Sequence, residues 1–211
     1  MKILIACEFS GIVREAFKAK GHDVWSCDLL PSEQPGQHIQ GDVLEILDNG
    51  WDMMIAHPSC QYLSNAGVGY FNVERYGNKA IERWRKRIDA LEFFMAFVNA
   101  PIEKVCIENP VGFVNSAYRK ADQIIHPYYF GDPHKKRTCL WLKNLPKLQY
   151  KLEDDLFGKR TATNEPEPIF IDKSGKARYF TDAIVGFGNN ANKQRSVTFR
   201  GIAQAMADQW G

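Results

Sequence analysis

Trp51-Asp52-Met53-Met54-Ile55-Ala56-His57-Pro58-Ser59-Cys60-Gln61 sets a short apolar run against a proline turn that carries a thiol. The run is short enough for a buried strand, so the Pro-Ser-Cys turn falls at that strand's carboxyl end. In open α/β sheets ligands bind along that edge. Pro58 fixes one backbone angle, and Gly67 and Gly69 free the segment beyond, which places Cys60 like a nucleophile presented to a cleft. An isolated cysteine is more often a small buried hydrophobe under a loop. The company this stretch keeps decides between the two.

With 211 residues, 45% hydrophobic and 25% charged, the chain can bury one good core, and a single domain is expected. A net charge of +2 provides no overall basic field, so any nucleic-acid surface must be a local patch. The cysteines at 7, 27, 60, 106 and 139 form no CxxC pair, which points away from a zinc site or a disulfide framework and towards a reducing, cytoplasmic setting. Met1-Lys2-Ile3-Leu4-Ile5-Ala6 runs straight into a strand pattern without a signal-peptide core, and no stretch reaches membrane-spanning length.

In chain order, Ile3 to Ala6 reads as a first buried strand and Cys7-Glu8-Phe9-Ser10-Gly11 as the turn after it. A helix follows from Ile12 to Lys20, with Val13, Ala16 and Phe17 at helical spacing and Gly21 as its cap. A second strand runs from Asp23 and stops at Asp28. Strand, glycine turn, helix, strand and acid is the order of a Rossmann-like nucleotide site, in which the carboxylate accepts hydrogen bonds from a ribose. Only one glycine stands in the turn, which disfavours a dinucleotide pyrophosphate and favours a cofactor without phosphate. Beyond the polar loop Pro31 to His38, Gly41-Asp42-Val43 suits an adenine, with the carboxylate on its amine and the apolar residue on its ring.

Phe9-Ser10-Gly11, Asp28, Gly41-Asp42-Val43 and above all Pro58-Ser59-Cys60-Gln61-Tyr62-Leu63-Ser64-Asn65-Ala66-Gly67 resemble the successive motifs of the DNA cytosine-5 methyltransferases. The resemblance implies the Rossmann-like S-adenosylmethionine-dependent methyltransferase fold, mostly parallel with helices on both faces. It also implies S-adenosylmethionine as cofactor, held by Phe9, Ser10, Gly11, Asp28, Leu29, Asp42, Val43 and Pro58. The family has a second proline where Ser59 stands, and usually a glutamate where Asp28 stands. Downstream, Ile102 to Ile107 is another strand-like run ending in Glu108-Asn109-Pro110, where the family has Glu-Asn-Val and its glutamate contacts the ring nitrogen and amine of a flipped base. Such a group is needed because a thiolate adds to the 6-carbon of cytosine only if the ring nitrogen gains a proton or a strong hydrogen bond.

Pro133-His134-Lys135-Lys136-Arg137-Thr138-Cys139-Leu140-Trp141-Leu142 stands where the family has Gln-x-Arg-x-Arg before a hydrophobic strand. The family's arginines there hold the base and the target phosphate, and the resemblance implies those roles for Lys135 and Arg137, set two apart on one strand face; a shift of one residue chooses Lys136 instead. At the carboxyl end, Gln194-Arg195-Ser196-Val197 and the helix Gly201 to Ala207 resemble the family's last motif, which implies that Ser196 and Val197 line the cofactor pocket.

Ser64 to Lys79, rich in glycine, tyrosine and asparagine, has the composition of a lid that closes over a flipped base. The run Glu82-Arg83-Trp84-Arg85-Lys86-Arg87 fits phosphate contacts and fits a solvated helix face equally well. Residues 151–192 form a small variable insert, with a hairpin pairing Ile169 to Asp172 with Ala177 to Thr181, in the place of a target-recognition domain. The expectation is therefore a compact, phage-type enzyme that methylates cytosine in duplex DNA through a covalent Cys60 adduct on a flipped base, with Glu108, Arg137 and Lys135 as partners. The competing reading is a catalytically inactive DNA-binding or anti-restriction relative of the same fold.

Overall fold

Ile3, Leu4, Ile5 and Ala6 are all fully buried, because the first strand, Lys2–Ala6 (β1), feeds two cores at once. Side chains alternate across a strand, so Ile3 and Ile5 enter one apolar cluster while Leu4 and Ala6 enter another on the opposite face. Near-continuous apolar runs of this kind mark a parallel sheet covered on both sides. The computed structural model describes residues 1–173, 175–179 and 198–211.

The remaining strands are Asp23–Asp28 (β2), His38–Gln40 (β3), Met53–Ala56 (β4), Lys104–Pro110 (β5), Gln123–Ile125 (β6), Thr138–Lys143 (β7), Phe170–Ile171 (β8) and Ala177–Arg178 (β9). The helices are Ile12–Lys18 (α1), Val73–Tyr76 (α2), Asn78–Asn99 (α3), Val114–Ala117 (α4) and Arg200–Trp210 (α5). Seven strands form one sheet in the order β3-β2-β1-β4-β5-β7-β6, in which only β7 runs against its neighbours. The sheet has a Rossmann-like arrangement, mostly parallel with helices on both faces. The anticipated hairpin is present as β8 and β9, paired antiparallel. No helix among the described residues is long and apolar enough to cross a membrane.

On one face α3 lays Phe94 and Phe97 over Leu4, Met54, Val105, Ile107 and Trp141. On the other, α1 and α5 cover Ile5, Ile55, Cys106 and Leu140 with Val13, Phe17, Ile202 and Met206. The chain order of the strands reverses between β1 and β4, and that switch point opens a crevice at their carboxyl ends. The parallel register Ala6↔Cys27, Ala6↔Ala56 and Ala56↔Ile107 brings the turns after β1, β2, β4 and β5 to this one edge.

A buried cation fixes the amino-terminal half of that edge. Arg14, on α1 and 0% exposed, donates to the Ser26 and Ser32 hydroxyls, to the Gln34 and Pro35 carbonyls and to Glu15 at 2.9–3.1 Å. It thereby folds the loop after β2 over the first turn of α1. Gly11, in the left-handed region at φ 74°, is required here: a β-carbon would come within 2.9 Å of the Arg14 guanidinium. Arg14→Leu strands these acceptors, and the expected loss is roughly 3 kcal/mol of unfolding free energy, read as a lower urea midpoint at unchanged slope. An unchanged midpoint would show that the loop is held by other means.

Candidate functional site

Strand parity places the central pair. Ile55 and Cys106 are register partners on the face covered by α5, so the residues two further on, His57 and Glu108, emerge side by side on that same face. The His57 Nδ1 lies 3.4 Å from Glu108 Oε2, with the imidazole 5% exposed and the carboxylate 18% exposed. Burial pushes the Glu108 carboxyl up, but the His57 hydrogen bond, Lys136 and the His57 charge together outweigh it and hold that carboxyl below the ordinary glutamate value. Pro58 and Asn109 project to the opposite face, where Asn109 Nδ2 donates to the Pro58 carbonyl at 2.8 Å.

A narrow cleft beside this pair is lined by His57, Glu108, Lys136, Thr138, Phe199 and Ile202, among others. The same parity explains Lys136. Leu140 packs on the α5 face, so Thr138 and Lys136, two and four residues earlier, stand on that side with Glu108. Lys135 and Arg137 have the other parity. Lys135 instead pairs with Glu165 and contacts the Tyr179 hydroxyl, and Arg137 is exposed. Of the three cations considered from sequence, only Lys136 joins Glu108 in the cleft lining.

Cys60 is exposed and opens a helical turn, its carbonyl accepting from Leu63 N at 3.1 Å and Ser64 N at 2.9 Å. Cys60 is not part of the cleft lining. Four contacts hold the segment behind it. Leu63 is buried in the core, Phe113 N donates to the Leu63 carbonyl at 2.6 Å, Ser64 bridges to Gly112, and Arg87 Nε donates to the Tyr62 carbonyl at 2.8 Å. Arg87 is 4% exposed, and its guanidinium lies 3.3 Å from the centre of the Phe71 ring. Arg83 stacks against Tyr62, Tyr70 and Phe71. Neither arginine has a carboxylate within ion-pair distance among the described residues, so aromatic faces do the work of a counter-charge. The basic run on α3 is thus divided. Arg83 and Arg87 clamp the segment after Cys60, Lys86 pairs with Glu82, and Arg85 is exposed. The stretch read as a lid carries two short helical turns, Val68–Phe71 and α2, against α3.

The expected cofactor residues fall into three groups. Asp28 and Asp42 stand at the ends of β2 and beyond β3, close enough to the Cys7 and Cys27 thiols that both carboxylates, after burial, help to push those thiols up. Asp28 accepts from Leu30 N at 2.9 Å, and burial raises its carboxyl; Asp42 accepts from Leu44 N at 3.0 Å. Neither has a lysine or arginine within ion-pair distance among the described residues, and Leu29 beside Asp28 is 74% exposed. Two carboxylates beside an exposed apolar side chain fit the hydroxyls, amine and ring of an adenosine. Phe9 and Ser10 are buried, Pro58 likewise, and Val43 packs into the core with Leu47 and Trp51. Ser196 and Val197 lie outside the described residues.

Sequence reading passed over Glu8. It is 4% exposed, and its carboxylate accepts from Val13 N at 2.7 Å, Arg14 N at 3.3 Å and the Ser10 hydroxyl at 3.3 Å, at the start of α1. Burial raises this carboxyl, opposed by the charge of His57 and by these amides. His57 was missed too, although its position two residues beyond a core isoleucine was legible.

No family profile matches the sequence, and no curated protein matches it. Among solved structures, the Dnmt2 methyltransferase of S. pombe aligns at 15% identity over 69% of this chain and 50% of its own, with a TM-score of 0.40. A protein assigned as a DNA modification methyltransferase encoded within an E. coli prophage aligns at 15% identity over 89% of this chain and 55% of its own, with a TM-score of 0.43. The chain spans about half the length of either structure.

Gly112 is where the Cys60 segment meets the loop after β5, since a β-carbon there would lie 2.0 Å from the Leu63 carbonyl oxygen. Gly112→Ala therefore breaks the Ser64 bridge and the Phe113–Leu63 bond. Faster amide exchange at residues 61–66, with β1 and β4 as protected as before, is the expected outcome. Unchanged protection at 61–66 would show that the contact does not hold the segment.

Proposed function

We propose that the chain transfers a methyl group from S-adenosylmethionine to the 5-position of cytosine in DNA, through a covalent adduct with Cys60. The observation that carries this reading is the arrangement at the ends of β4 and β5: an exposed thiol on a proline turn, tied by Asn109 to the strand whose Glu108 lines a cleft with Lys136. A thiol and a carboxylate on adjacent strand ends are what conjugate addition to a pyrimidine needs. The sulfur attacks the 6-carbon, and the carboxyl group serves the ring nitrogen and the exocyclic amine.

In this reading Lys136 takes the place given from sequence to Lys135 and Arg137, offering a cation to the pyrimidine oxygen, while exposed Arg137 is left for the sugar-phosphate backbone. Asp28, Asp42 and Leu29 would hold the adenosine part of the cofactor, whose sulfonium supplies an electrophilic methyl when bound. The turn of Phe9, Ser10 and Gly11 would flank its amino-acid end. The target base must leave the stack, because a thiolate attacks perpendicular to the ring where stacked neighbours stand in the way. Residues 1–211 act as a single domain in this proposal, with 151–192 as a small variable insert in place of a target-recognition domain.

Incubation with DNA and S-adenosylmethionine tritiated on the methyl group tests it. Label should pass to cytosine in DNA with the wild-type protein and fall by at least about 10³-fold in Cys60→Ala, a loss on the scale of removing a covalent nucleophile. Label transfer that survives the substitution would remove the covalent route, and label on an exocyclic amine would replace the reaction class.

A further inference from the structure

Addition of a thiolate to cytosine needs a proton at the ring nitrogen, and the carboxyl that would face that nitrogen, Glu108, is raised by burial but held below the ordinary glutamate value by the His57 hydrogen bond, Lys136 and the His57 charge, which makes it a poor proton source by itself. The protonatable group in contact with it is His57, 3.4 Å away through Nδ1. The imidazole is almost wholly buried, and its Nε2 is enclosed with no hydrogen-bond partner among the described residues. The charged groups acting around this ring come from three elements. Glu108 stands on β5, and Lys136 precedes β7 and acts on Glu108. Glu8 follows β1, feels the charge of His57 and has Arg14 behind it. From α5 the cleft receives only Ile202 and Met206. The His57 imidazole thus contacts the cleft carboxylate of Glu108, and its charge is felt by the buried carboxylate of Glu8.

Resting on the methyl-transfer reading above, we propose that His57 is the positioning residue for Glu108: it fixes Oε2 so that the carboxylate faces the pyrimidine, and it supplies through Glu108 the proton that the ring nitrogen takes up. As Cys60 adds, its electron pair forms the S–C6 bond, the C5=C6 pair moves to C4–C5, and the C4=N3 pair moves onto N3. N3 takes a proton from Glu108, which takes one from His57 Nδ1, leaving a neutral imidazole. After methylation the 5-proton leaves to water and the thiolate is expelled. The N3 proton then returns through Glu108 to His57, so the chain of groups ends as it began.

The test follows the rate of covalent adduct formation with DNA containing 5-fluorocytosine, in the presence of S-adenosylmethionine, against pH. In the wild type the rate falls as pH rises, because the proton source is lost. His57→Gln should slow the adduct by about 10²-fold and abolish that falling limb, and added imidazole should restore rate to His57→Gly. Glu8→Gln leaves the ring in place but removes a negative charge beside it, so the limb should move to lower pH; this variant serves where His57 substitutions fail to fold. A wild-type pH profile in His57→Gln, or a limb unmoved in Glu8→Gln, overturns the role of His57 while leaving the adduct chemistry intact. A wild-type protein that forms no adduct overturns the cytosine-5 reading and the role of His57 together.

Discussion

The hydrogen bond from Asn109 to the Pro58 carbonyl joins the two strand ends on which the site is built. Beyond the last rungs of the parallel ladder, which stops at Ala56↔Ile107, it is joined by the His57–Glu108 contact in tying the turn after β4 to the end of β5. Asn109 continues the pairing by a side chain where the backbones part, and both groups are buried, so the bond cannot be exchanged for water. The thiol and the carboxylate each lie within two residues of it. Their separation is therefore set by a strand register and one amide, both rigid, although Cys60 itself sits in a loop.

Around this joint the structure uses guanidinium groups where a larger protein would use more chain. Arg14 gathers the loop after β2 onto α1, and Arg87 with Arg83 gathers the segment after Cys60 onto α3. Each buries a charge, which is costly, and each recovers the cost through several acceptors or aromatic faces at once. Planar forks with many donors can satisfy loop carbonyls that have no strand partner, and so they suit irregular segments bordering a cleft.

The sheet was legible because its buried strands are short apolar runs with turns at both ends, and β1, β2, β4, β5 and β7 all read that way. His38–Gln40 and Gln123–Ile125 did not, being three-residue strands at opposite edges of the sheet, too short to show a period. Glycine in the first turn was visible, but its neighbour was not: the groups packed on Gly11 are Arg14 and Gln34, partners that sequence spacing cannot reveal. Val43, read from sequence as a surface for a ring, packs with Trp51 and Leu47 in the core, because the turn it opens folds back onto them.

The basic segment before β7 shows what decides such cases. Three cations in a row admit two frames, and similarity to a motif with two arginines favours the outer pair. The apolar strand that follows carries the missing information. Leu140 belongs to the face covered by α5, as do Cys106 and Ile55, and counting by twos, back from Leu140 and forward from Cys106 and Ile55, reaches Lys136, Glu108 and His57. These three meet because the strands share one plane and one parity, so the side chains that leave the core on one face leave it at neighbouring points. A strand's last core residue therefore fixes which of the following polar residues can reach a site, and that rule selects the lysine that motif spacing passes over.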